Sequence, residues 1–312
     1  MNAPASVPSN ARTHRLNVKT LLLLLAIHPL LSTAVPRLES DVPYLGPDRS
    51  EKLDAWLPDA AWPGPHPVIL LIHGGGWAIG DKAGKREKNI GQNLTAHGYA
   101  VFSINYRLND VGEKDPATGR FKITRLAWPQ NLHDCKTALR FIRANAARYN
   151  IDPARIAVMG GSAGGHLAMM VGATAHVEDF NRHGLYTEQS NTVTAIIDFY
   201  GIPDVRGRRH SSFPGATPEE TQANEIAASP ITWIDKNTPP ILIAHGSADK
   251  TISVDRSRHL ARHLGKLGLD YWFVEIGGAP HTFHLQPAQM DLRPLVLAFL
   301  AKHLGQPAPA TR

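Results

Sequence analysis

Six short, nearly unbroken apolar runs constrain this chain more than any other feature. They are Pro67–Ile72, Tyr99–Ile104, Arg155–Met159, Thr194–Phe199, Pro240–Ala244 and Tyr271–Ile276. A strand covered on one face alternates apolar and polar residues, so a run that is apolar throughout needs cover on both faces. Amphipathic segments of helical length lie between the runs. In 131–148, Leu132, Cys135, Leu139 and Ile142 share one face, and in 253–266 Leu260 and Leu264 do the same. Strands alternating with helices imply right-handed crossovers, hence an α/β fold with a mostly parallel central sheet and helices on both faces. Leu53–Leu57, bounded by Pro58, alternates instead and suits an antiparallel strand at the start of the sheet.

The 312 residues are 43% hydrophobic and 19% charged, a globular balance that excludes both disorder and a membrane bundle. No repeat or Pro/Ser-rich linker divides them, so a single domain over 35–304 is expected, with 305–312 as a flexible tail. Stretches 109–127 and 206–228 are less regular. In open α/β sheets, loops beyond the carboxyl strand ends border the ligand crevice, so both stretches are candidate walls or lids. The lone Cys135 excludes an intramolecular disulfide framework and a thiolate-rich zinc site.

The net charge of +6 raises the question of a nucleic-acid partner. Three of the cations, Arg12, Arg15 and Lys19, stand in the first 34 residues, which hold no acid. The remainder has no block or stripe of Lys and Arg that could release phosphate counterions, so no nucleic acid is expected. The same first 34 residues pair that basic flank with Leu21–Ile27 and with small residues at Ser32 and Ala34. This pattern suits a signal peptide over 1–34 cleaved after Ala34, hence a secreted or periplasmic protein. The apolar run is too short to span about 30 Å of hydrocarbon, and Pro29 interrupts it, so no stable membrane anchor is expected after cleavage.

The chemistry concentrates in Arg155–His166: an apolar run, then Gly160-Gly161-Ser162-Ala163-Gly164, then a helix-like segment. A serine at the tip of a sharp strand-to-helix turn is forced into a strained backbone, and residues larger than glycine at 160 and 164 would collide across it. The strain exposes the Ser162 hydroxyl, and the helix behind it aims its first amides at the same place.

The second signal, His73-Gly74-Gly75-Gly76-Trp77, directly follows the Pro67–Ile72 run. Acyl transfer places negative charge on a carbonyl oxygen, and backbone amides can hold that charge only where no side chain blocks the approach. Gly75 and Gly76 are therefore the expected oxyanion donors, together with the Ala163 amide. A phosphate-binding use is disfavoured, because Ser162 and Ile79 stand where a G-x-G-x-x-G fingerprint needs glycine.

A nucleophile elbow requires an acid and then a base further along the chain. Asp249 follows the Pro240–Ala244 run, and His281 follows Tyr271–Ile276, so all three groups share one sheet edge. Asp249 would fix the tautomer of His281, which would take the Ser162 proton. Asp255 is the rival acid and His284 the rival base. His259 and His263 stand four residues apart, but no Glu follows His259 as a zinc protease needs, and they suit a polar helix face. His166 and His245 suit local hydrogen bonding. No metal or organic cofactor is required.

The ordered set His73–Trp77, Gly80-Asp81-Lys82, Asn105–Leu108, Gly160–Gly165, Tyr200-Gly201, Ser229-Pro230-Ile231, His245–Asp249 and His281 resembles the α/β-hydrolase superfamily. Within it, the chain is similar to the secreted esterase/lipase group of feruloyl and acetyl-xylan esterases, with kynurenine formamidases as relatives. The resemblance implies Ser162, Asp249 and His281 as triad, Gly75, Gly76 and Ala163 as oxyanion donors, and Trp77 and Tyr200 near the acyl pocket. It implies a short acyl or feruloyl ester as substrate, a small molecule or a plant-polysaccharide carbohydrate ester. An aryl formamide is the alternative, and a non-catalytic binding module the third reading. The 109–127 insertion departs from the plainest members, and 206–228 is too short for a large lid. The family pattern also places Arg107 beside Asp134, which implies a structural ion pair under the site. Nothing in the sequence fixes an oligomeric state.

Overall fold

The structure is a computed structural model that describes residues 36–310 apart from 115, 117–120 and 208–210. The expected signal segment 1–34 lies outside the described residues. The strands, in chain order, are β1 (Arg37–Pro43), β2 (Lys52–Leu57), β3 (His66–Ile72), β4 (Ala100–Ile104), β5 (Asp110–Lys114), β6 (Phe121–Arg125), β7 (Ile151–Gly161), β8 (Ala195–Phe199), β9 (Ile241–Gly246) and β10 (Tyr271–Ile276). Eight form one sheet in the order β1-β2-β4-β3-β7-β8-β9-β10. Strand β2 runs antiparallel to both neighbours, and from β4 to β10 every pairing is parallel.

Why the inner strands read as unbroken apolar runs is visible in β3. Val68, Leu70 and Ile72 point to one face and belong to the apolar cluster that also holds Leu132 and Leu139 of helix Gln130–Ala144, Leu167 of helix Ala163–Ala173 and Leu260 of helix Asp255–Lys266. Ile69 and Leu71 point to the other and belong to the second cluster, with Ile90 and Leu94 of helix Lys85–Thr95 and Val296, Phe299 and Leu300 of helix Arg293–Leu304. Successive strand side chains alternate faces, so a central strand with a helix layer on each side must be apolar at every position. Each such side chain contributes about 1.5–3 kcal/mol on leaving water.

Three stretches differ from the sequence expectation. Arg37–Pro43 forms an edge strand in which only Val42 is buried, so no apolar period announces it. The 109–127 stretch is not irregular: β5 and β6 make a separate two-stranded antiparallel ribbon in which Val111 faces Ile123. Within 206–228, Pro218–Ala227 is a helix whose N-cap, Thr217, accepts from the Glu220 amide. From 305 to 310 the chain has no regular structure, and the Ala310 amide donates to the Ala61 carbonyl at 2.8 Å. Among the described residues, no helix is long and apolar enough to cross a membrane.

Candidate active site

Five parallel strands adjacent in the sheet, β3, β7, β8, β9 and β10, end at one edge. From their ends run the segments that carry Gly74–Trp77, Ser162, Tyr200, Asp249 and His281 respectively. Strand order thus sets the glycine loop beside the serine and the carboxylate beside the imidazole.

Ser162 stands between β7 and helix Ala163–Ala173 with φ 56° and ψ −121°, outside the regions a side chain ordinarily adopts. Its amide donates to the Phe199 carbonyl at 2.9 Å, which pins the turn to β8. A Cβ on Gly160 would lie 2.2 Å from the Gly164 carbonyl oxygen, and one on Gly164 would lie 2.1 Å from that of Ile72. Both positions expected to exclude side chains therefore do so. Ala163 is the first helical residue, so its amide has no intrahelical partner.

The structure brings the three sequence-derived candidates together. His281 Nε2 stands 3.1 Å from Ser162 Oγ, and His281 Nδ1 stands 2.6 Å from Asp249 Oδ2. Asp249 is fully enclosed, and its Oδ1 accepts the amides of Thr251 and Ile252, both at 2.8 Å. Burial pushes its carboxyl up, but the Ile252 amide and the His281 N–H outweigh burial and hold it below the usual carboxylate range. The carboxylate is thus ionised, His281 Nδ1 carries the hydrogen, and Nε2 is left bare to accept from the serine. The rivals point elsewhere. Asp255 is exposed and pairs with Arg258 at 2.7 Å, and His284 Nδ1 accepts the Gln286 amide at 3.0 Å. His259 and His263 lie on helix Asp255–Lys266, and among the described residues no His/Cys/Asp/Glu group could hold a metal ion.

The glycine loop turns tightly, with the amides of Ala78 and Ile79 donating to the Gly75 carbonyl. Gly75 has φ +111°, and a Cβ there would meet the Ile79 carbonyl oxygen at 1.9 Å. At Gly76, φ +62°, the corresponding space is open. The next residue, Trp77, is buried and donates its indole N–H to His166 Nδ1 at 3.2 Å. Tyr200 sets its ring edge-on to that of His281, 4.9 Å between centroids. Its hydroxyl donates to the Phe283 carbonyl at 2.8 Å and accepts from Arg86 Nη1 at 3.1 Å. Gly76, Trp77, Ser162, Tyr200 and His281 all border a cleft of about 740 Å³. Its apolar wall includes Ile79, Val111, Ile123 and Ile252, so the β5–β6 ribbon supplies part of that wall.

One expectation fails. Asp134 does not pair with the Arg107 side chain. Its carboxylate receives Arg49, at 2.6 and 3.1 Å, and takes only the main-chain N–H of Arg107, at 2.8 Å. The Arg107 guanidinium leans toward Glu51 and Asp110, no closer than 3.8 Å. Asp134 lies at the start of its helix, where the chain before β2 crosses it, and Arg49 reaches the carboxylate first. No sequence motif marks Arg86, whose charge, paired with Glu87, reaches the Tyr200 hydroxyl.

Sheet order, elbow and edge together define an α/β-hydrolase. The BD-FAE family model matches residues 53–264, and the chain belongs to that family. It is similar to a probable carboxylic ester hydrolase, LipM, of Mycobacterium tuberculosis: 29% identity over 260 residues, covering 79% of this chain and 56% of LipM. This chain thus spans little more than half the length of that relative. Among solved structures, a truncated carbohydrate esterase from gut microbiota superimposes with a TM-score of 0.72 at 26% identity, over 89% of this chain and 99% of the other. Thermogutta terrifontis esterase 2, phosphonylated by cyclosarin, does so with a TM-score of 0.65 at 25% identity, over 89% and 97%.

Proposed function

We propose that this protein is an exported serine carboxylic-ester hydrolase acting on short acyl or feruloyl esters, in particular those of plant polysaccharides. The hydrogen-bonded chain Ser162–His281–Asp249 carries the reading, because no other role explains a strained serine facing a bare imidazole nitrogen. Ser162 Oγ attacks the ester carbonyl carbon while its proton passes to His281 Nε2. The amides of Gly75, Gly76 and Ala163 receive the oxyanion. As the intermediate collapses, the alcohol departs with the proton held by His281, leaving an acyl-serine. Water then attacks the acyl carbon, gives a proton to His281, and the carboxylic acid leaves as Ser162 regains its hydrogen.

The carbohydrate-ester preference is supported by the esterase named above, and the size of the cleft suits an aromatic acyl group as well as an acetyl group. Export rests on the pattern of residues 1–34. The test is turnover of p-nitrophenyl acetate, an acyl series from C2 to C12 and methyl ferulate, with Ser162→Ala beside the wild type. Short acyl or feruloyl esters are expected to lead; a preference for long chains contradicts the substrate reading. Mature protein recovered outside the cytoplasm should begin just after Ala34, and retention of the first 34 residues inside the cell contradicts export.

A further inference from the structure

Asp249 Oδ2 accepts from two imidazoles. Besides His281, it stands 3.1 Å from Nε2 of His245, a residue at the end of β9 with no exposed surface. The same Nε2 is 2.9 Å from the Ile252 carbonyl oxygen, and His245 Nδ1 is 2.7 Å from Ser257 Oγ, also fully buried. Ile252 O and the Asp249 carboxylate can only accept, so Nε2 must carry the hydrogen. Burial lowers the proton affinity of His245, and the ring is neutral; Nδ1 is therefore an acceptor, and the Ser257 hydroxyl donates to it. A neutral second imidazole gives Asp249 a fixed donor without a competing positive charge. The full negative charge stays available to the imidazolium that forms at His281.

We propose that His245 is a positioning residue: its Nε2–H, held in orientation by Ser257, fixes the Asp249 carboxylate that aims His281 at Ser162. Two amides hold Oδ1 and His245 holds Oδ2, so the carboxylate cannot rotate out of the imidazole plane. The inference rests on the reading of Ser162, His281 and Asp249 as a triad. It concerns orientation, so its loss should lower kcat and leave KM nearly unchanged.

The experiment compares full-length His245→Leu, His245→Gln and Ser257→Ala with wild type. The readouts are kcat and KM on p-nitrophenyl acetate, melting temperature, and the downfield proton resonance of His281 Nδ1–H recorded in a Ser162→Ala background. His245→Leu should lower kcat about 10- to 100-fold, the equivalent of one hydrogen bond to a charged group, and shift or broaden the resonance. His245→Gln, which returns an N–H near the site of Nε2, should recover most of both. Ser257→Ala should show a smaller loss in the same direction. Wild-type kcat and resonance in His245→Leu would overturn the proposal, as would a glutamine variant as slow as the leucine variant at unchanged melting temperature. If His245→Leu does not fold, Ser257→Ala decides, and wild-type values there overturn it. Full activity in Ser162→Ala would sink the triad reading alone, because the resonance comparison in that background still judges the clamp.

Discussion

Trp77 and His166 join the glycine loop to the elbow helix, the indole N–H donating to Nδ1 across 3.2 Å. His166 Nε2 lies 2.6 Å from the Ala228 carbonyl and must donate to it, so the neutral ring uses both nitrogens. This bond ties the residue that follows Gly76 to the helix that begins at Ala163, alongside the Asn109 amide that donates to the Trp77 carbonyl. Trp77→Phe leaves a buried nitrogen unpaired and frees the loop. Stability should fall by about 1–3 kcal/mol, and kcat by about tenfold, part of the 10²–10³-fold loss that removing an oxyanion donor causes. Steady-state kinetics and urea melts check both.

Burial pushes the His166 pKa down to about 4. The unfolded chain binds a proton there near the ordinary pKa of about 6.5, and the folded chain does so only near 4. Between those values the unfolded state holds more protons, so this residue makes stability fall as pH drops, by at most about 1.4 kcal/mol per pH unit. His166→Gln should flatten that part of the stability curve between pH 6.5 and 4, measured by denaturant melts across the window.

Gly75 and Gly76 make separable predictions. Gly75→Ala places a methyl against the Ile79 carbonyl, so the loop must rebuild, stability should drop by more than about 2 kcal/mol, and turnover should be lost. Gly76→Ala meets nothing and carries only the left-handed backbone cost, about 1 kcal/mol. It should fold and keep measurable turnover.

Arg49→Ala strips the cation from a carboxylate that is 1% exposed, so stability should fall by about 3 kcal/mol or more. Arg107→Ala removes only long, partly exposed contacts and should stay within about 0.5 kcal/mol of wild type. Equal losses in urea melts would contradict the pairing.

Val111 and Ile123 are cross-strand partners and so share one face of the ribbon, the face that borders the cleft. Aspartate at either position should lower kcat/KM for methyl ferulate about tenfold and affect p-nitrophenyl acetate far less. Equal effects on both substrates would mean that the ribbon does not read the larger group.

The central strands were legible because two-sided cover forces them to be apolar, and the site was legible because an elbow needs its glycines and its chain order. Strand β1 was not, because an edge strand can be polar, and the ribbon carries only two apolar positions toward the cleft. Arg49 stands 85 residues before Asp134, and no local pattern links them. The sequence marks His245 only as a local hydrogen-bonding residue; that its partner is Asp249 itself emerges only once the loop after β9 is folded.

The most direct measurement is intact-mass analysis after exposure to a fluorophosphonate, followed by peptide mapping. One adduct is expected, on Ser162, complete in wild type together with loss of esterase activity, and absent in Ser162→Ala. Labelling at another residue, or full esterase activity in a protein whose Ser162 is blocked, would contradict it.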